Sequence, residues 1–220
     1  MNLAKSSRFI ASLTGLCLFP LALLLGRIIV TDSSRYIFLL WNLALAVIPL
    51  ALAWLLVAQL RRRSWLDWRS ILLSFLWLSF LPNSFYLITD FVHLRPNYEA
   101  DLVFDIVLLS SFLLAGLALG FLSVYLVHRE IVKKLRPNLA IGVVAVIFFI
   151  SSFAVYLGRF NRFNSWDILL RPAGLLFDVS ERVINPSAYS QTYLTTFILF
   201  GLFFSLYLVI WEAAQLLRKK

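Results

Sequence analysis

The stretch LVFDIVLLSSFLLAGLALGFLSVYLV, residues 102–127, decides how the rest of the chain is read. It carries one charged residue, Asp105, close to its start. It exceeds the ~20 mainly apolar residues that a helix needs to cross ~30 Å of hydrocarbon. Runs of the same character lie on both sides: Phe9 to Ile29, Tyr36 to Leu60, Ile71 to Phe91, Leu139 to Leu157 and Tyr193 to Leu217. The pattern predicts an all-α fold, a polytopic membrane helix bundle of about six transmembrane helices forming a single integral membrane domain over residues 1–220. Composition agrees, since 61% of the residues are hydrophobic and 14% charged, against an apolar share of ~45–50% in soluble domains.

The charge distribution excludes one function class and orients another. A net charge of +9 in a soluble chain would suggest nucleic acid. Here the basic residues cluster at the ends of the apolar runs, the pattern of a topology signal. No nucleic-acid partner is expected; the lipid bilayer is. With the N-terminus inside, 13 of the 20 Lys and Arg residues fall on inner segments and 7 on outer ones. This places both termini in the cytoplasm and the protein in a bacterial cytoplasmic membrane. The first run follows Lys5 and Arg8, as in a signal peptide, but it is long, contains Pro20 and ends without a small-x-small cleavage site, so a retained helix is expected.

Polar residues within or beside the spans gather toward the outer side. Asn83, Tyr86, Asp90 and His93 stand at helical offsets of 3, 7 and 10. At ~100° per residue these fall on one stripe. Lipid cannot satisfy such a stripe, which must face a protein interior or a wet cavity. Pro82 removes a backbone donor and kinks the helix just before it, leaving a carbonyl for Asn83 or a neighbouring helix to satisfy. Equally, Asn and Tyr in membrane helices often do no more than hydrogen-bond another helix.

The second constellation follows the fifth run: Gly158-Arg159-Phe160-Asn161-Arg162-Phe163-Asn164-Ser165-Trp166-Asp167. Arg159 and Arg162 suit planar, bidentate contact with carboxylate or phosphate. Their candidate partners are Asp90, Asp101, Asp105 or an anionic ligand. Ser152, Tyr156 and Arg159 share a face, and Gly158 admits a close neighbour. The plain alternative is a basic turn in the headgroup layer. Asp101 suits a helix N-terminus; Asp105 is deeper and the better candidate for a site. Gly116 and Gly120, four apart, permit tight helix packing. Between Arg159 and Thr192, Pro172 opens a segment whose Leu175, Leu176, Val179 and Val183 share one face. This predicts a short extracytoplasmic amphipathic helix on the membrane surface.

Metal and hydrolase readings find little support. The only His near the acids is His93, and no standard zinc spacing occurs, so no metal is expected. Nothing around Ser84 or Ser165 forms a nucleophile elbow. The single cysteine, Cys17, precludes an intramolecular disulfide. No cofactor is indicated.

Taken with their spacing, Leu81-Pro82-Asn83, Tyr86, Thr89-Asp90, His93-Leu94, Gly158-Arg159-Phe160, Arg162, Asn164-Ser165-Trp166-Asp167 and Arg171-Pro172 give a chain that resembles a family of bacterial integral membrane proteins, domain of unknown function 1361. The resemblance runs from the second helix to the sixth. It implies a multi-helix membrane protein and brings no established activity. The family pattern has Asn-Ala-Pro-Tyr where this chain has Asn83-Ser84-Phe85-Tyr86, so a softer kink is expected. It has Trp where this chain has Phe163.

Three functions stay open. The leading one is binding: an outer-face pocket from Asn83, Tyr86, Asp90, His93, Asp105, Arg159, Arg162, Asn164 and Asp167, holding an anionic lipid headgroup or a membrane-protein partner. The second is a small transporter or an accessory subunit of one, using the broken helix. The third is a membrane enzyme acting on a lipid-linked, phosphate-containing substrate, with His93 as acid or base.

Overall fold

The computed structural model describes residues 3–94, 102–163, 170 and 172–218, and these contain helices and no strand. In chain order the helices are α1 (Leu3–Thr31), α2 (Phe38–Leu60), α3 (Trp68–Phe80), α4 (Pro82–Tyr86), a 3-10 segment (Leu87–His93), α5 (Leu102–Val132), α6 (Pro137–Phe160), α7 (Pro172–Ile184) and α8 (Ser190–Arg218). Six stretches are long and apolar enough to span a membrane: α1, α2, α5, α6, α8 and the composite Trp68–His93. The predicted bundle is present, with ends displaced from the predicted runs by a few residues.

Local chemistry explains the ends. α1 stops where Asp32 enters the left-handed region (φ 48°), which Asp tolerates better than most residues. α3 is N-capped by Asp67, whose carboxylate accepts from the Arg69 N–H at 3.0 Å. α6 and α7 begin at Pro137 and Pro172, which need no donor at the first helical position.

The third span departs most from a simple helix. Its first part, α3, runs to Phe80, and Pro82 then starts α4. The Asn83 side chain donates to the Phe80 carbonyl at 3.0 Å, so one carbonyl in the turn before the kink has a side-chain partner. From Leu87 the coil tightens to 3-10. The straight α-helical stripe drawn from sequence therefore needs correcting: at three residues per turn, Leu87, Asp90 and His93 eclipse one another.

α5 is the post on which the bundle is assembled, packing against α1, α2, α4 and α6, while α3 lies along α2 and α8 along α6. Gly116 and Gly120 make one of these contacts possible. A Cβ on Gly116 would sit 2.7 Å from the Ser84 carbonyl oxygen and collide with the Leu87 side chain; one on Gly120 would sit 2.8 Å from the Ser84 Cβ. The glycine pair thus seats the broken third span. There Phe85 is fully buried. Its ring stacks on Phe203 at 4.8 Å and meets Phe121 and Phe148 at 5.7 and 5.6 Å. Between helices in lipid such packing replaces the hydrophobic drive of soluble cores. Ile29, Trp54 and Val209 point outward, as lipid as a solvent allows.

Candidate functional site

The kinked third span delivers its polar residues to one end of the bundle, where they meet the end of α6. Asp90 is buried, 1% exposed. Its Oδ2 accepts from Asn42 Nδ2 on α2 at 2.8 Å, and its Oδ1 has no hydrogen-bond partner among the described residues. The His93 ring stands 4.9 Å from the Phe38 ring, and its Nε2 lies 3.1 Å from Arg159 Nη2. A guanidinium only donates, so in this contact Nε2 accepts. Gly158 lets α4 come close: a Cβ there would lie 3.3 Å from the Tyr86 ring. The two sequence motifs therefore touch twice, at His93–Arg159 and at Tyr86–Gly158.

Asp105 has a different partner from those expected. Neither Arg159 nor Arg162 reaches it among the described contacts; Arg27 of α1 does, with Nε to Oδ1 at 2.7 Å and Nη2 to Oδ2 at 3.3 Å. Both side chains are 1% exposed. The Arg27 guanidinium also lies 4.6 Å from the Tyr36 ring centre. The Tyr36 hydroxyl, 3.2 Å from Asp105 Oδ2 and 3.4 Å from the His93 carbonyl, can donate to either. Burial first, and the Asp105 carboxylate next, push the Tyr36 phenol above its ordinary range, so it stays a donor. Arg35 Nη2 donates to the same His93 carbonyl at 2.9 Å. The ion pair and the His93–Arg159 contact are thus neighbours joined through Tyr36.

The sequence carried a signal for Arg27 and for Asn42 that the stripe argument passed over: each is a polar side chain inside an apolar run, and lipid forces such groups to find a partner. Among the described residues Arg162 is not drawn in. It follows α6 in the left-handed region (φ 58°) and is exposed. Asn164, Asp167 and Asp101 lie outside the described residues. Among the described residues no three His, Cys, Asp or Glu side chains gather as metal ligands would.

Beside this network runs a cleft of about 380 Å³ between α2, α4 and α6. Asn42, Ser79, Asn83 and Tyr86 supply its polar side chains, Gly158 borders it, and Trp41, Leu45, Ile150 and Ala154 belong to its apolar wall. Val179 of α7 and Phe163 also border it. Of the predicted α7 face, Val179 borders the cleft and Leu176, like Phe177 and Ile184, is exposed, while the side chains of Leu175 and Val183 lie outside the described residues.

Fold and site together define a polytopic helical integral membrane protein, with a buried polar network at one end of its bundle. The chain belongs to the family described as protein of unknown function (DUF1361), whose profile matches residues 41–209. The matched span holds both motifs and Asn42, and begins after Arg27 and Tyr36. No curated protein and no solved structure matches the chain.

Proposed function

We propose that this protein binds a membrane lipid, with an acyl or polyprenyl chain in the α2–α4–α6 cleft and an anionic headgroup at the Asn42–Asp90–His93–Arg159 end. One observation carries the reading: the cleft's apolar wall runs to Asn42, which holds Asp90 at 2.8 Å, and to Gly158, the chain neighbour of Arg159. Trp41 and Ile150, both in its wall, are 59% and 42% exposed. Its volume lies within the ~300–1,000 Å³ of ligand sites. Arg159 supplies the planar donor set that phosphate prefers. Asp90 Oδ1, a buried acceptor with an open valence, suits a headgroup hydroxyl or ammonium. The Lys and Arg bias supports an extracytoplasmic placement of this end.

Binding is favoured over acid–base catalysis because the His93 nitrogen that would take a proton is engaged by Arg159. The test is native mass spectrometry of the full chain in mild detergent, with an Asp90→Ala, Arg159→Ala double variant as control. The expected result is one retained phosphate-bearing lipid per chain, lost from a double variant that keeps its helical circular dichroism. Equal retention in both proteins would refute this site. Retention of a protein instead of a lipid would turn the assignment to a membrane-protein partner.

A further inference from the structure

A second groove lies at the opposite end of the bundle, of about 380 Å³ and bordered by α2, α3, α5 and α6. Trp77, Leu78, Val127 and Ile147 are among its wall residues, with Lys134 and Trp65 at its limit. Ser74, the one hydroxyl in the wall, is committed to the Ser70 carbonyl at 2.8 Å. The interior therefore offers nothing to a polar guest and suits a hydrocarbon chain.

The surrounding charges are unbalanced. Arg61, Arg62 and Arg63, all exposed, run between Leu56 and Trp65 of the groove. Lys134 lies between Lys133 and Leu135, with Arg136 beyond, and all four are exposed. The acids at this end of the bordering elements are spent: Glu130 is paired with Lys133 at 2.6 Å, and Asp67 caps α3 while accepting from Gln59 Nε2 at 3.3 Å. Among the described residues Lys134 has no ion-pair partner. An amphipathic Trp beside an uncompensated cation, at the mouth of an apolar groove, fits one kind of guest.

From this we infer that the groove is a second lipid site, selective for an anionic phospholipid whose acyl chain lies along Trp77 and Ile147 and whose phosphate meets Lys134 and the Arg61–Arg63 turn. Basic clusters at the ends of spans attract anionic headgroups. This site shares no residue with the α2–α4–α6 cleft and does not depend on it.

The experiment uses the delipidated full chain in neutral detergent, titrated separately with dioleoyl phosphatidylglycerol and dioleoyl phosphatidylcholine and read by native mass spectrometry. The work is done in the Asp90→Ala, Arg159→Ala background and repeated in the wild type. Phosphatidylglycerol is expected to bind the more tightly. Its affinity should fall about fivefold in Lys134→Ala and about twenty-five-fold in Lys134→Glu, as removal and reversal of a charge near a headgroup imply. Val143→Trp, at a wall position 38% exposed and so off the packed core, should fill the groove and abolish binding of both lipids. Equal affinity for the two lipids, or a preference unchanged by Lys134→Glu and Val143→Trp, would overturn the inference. Binding lost in the cleft background but insensitive to Lys134 would assign the lipid to the first cleft alone.

Discussion

Asp105 shows how strongly one residue's environment sets its role. A carboxylate within a span is costly to desolvate. Here the cost is met by a bidentate guanidinium contact from Arg27 and a phenol from Tyr36. Such pairs add little net stability but are expensive to break from one side, at about 3–5 kcal/mol. Asp105→Ala should therefore lower stability by that order, by leaving Arg27 buried and unpaired, whereas Arg27→Met with Asp105→Leu should lose far less. Thermal unfolding of the two variants in one detergent checks this, and equal losses would show that the pair is not the cause. A second residue-scale expectation concerns His93, whose Nε2 accepts from Arg159. His93→Gln keeps an acceptor and should retain bound lipid, while His93→Leu leaves Arg159 without that acceptor and should lower retention. Lipid-to-protein ratios in the purified variants decide between them.

At the scale of elements, the third span carries the site because it is not one straight helix. Pro82 withdraws a donor, Asn83 bonds a carbonyl in the same turn, and the 3-10 turns beyond Leu87 align Asp90 with His93. That irregular piece is held by glycine. Gly120→Leu places side-chain atoms where Ser84 and Phe85 already stand, and overpacking of this kind costs about 1–3 kcal/mol. The expected result is a lower unfolding temperature. Gly142→Leu, at a glycine with open space around it, serves as the control and should leave it near wild type. α7 is a different kind of element. Its exposed Leu176, Phe177 and Ile184 have no protein cover among the described residues, and its C-terminus is joined to α8 through residues 185–189. A helix so tethered beside a span suits the headgroup layer.

For the molecule as a whole, the two ends differ in chemistry: one holds the Asp90, His93, Arg159 and Arg27–Asp105 contacts, the other the basic turns 61–63 and 133–136. The proposed orientation follows from that asymmetry and is open to direct test. In a Cys17→Ser background, single cysteines replace Ser187, exposed in the turn before α8, and Ser64, exposed in the turn after α2. A membrane-impermeant maleimide added to intact cells is expected to label Ser187→Cys and spare Ser64→Cys. The reverse pattern would invert the topology and put the polar network on the cytoplasmic side.

Much of this architecture was legible in the chain, because a bilayer demands long apolar helices and every span meets that demand locally, in consecutive residues. The kink at Pro82 and the Asn83 bond to a nearby carbonyl were legible for the same reason: each depends on neighbours within a turn or two. Partnership was not. That Asp105 belongs to Arg27, that Asp90 is held by Asn42, and that Arg159 meets His93 could be settled only by how α1, α2 and α6 stand around α5. Charge fixes that a buried group needs a partner, but the packing of distant helices fixes which one it gets.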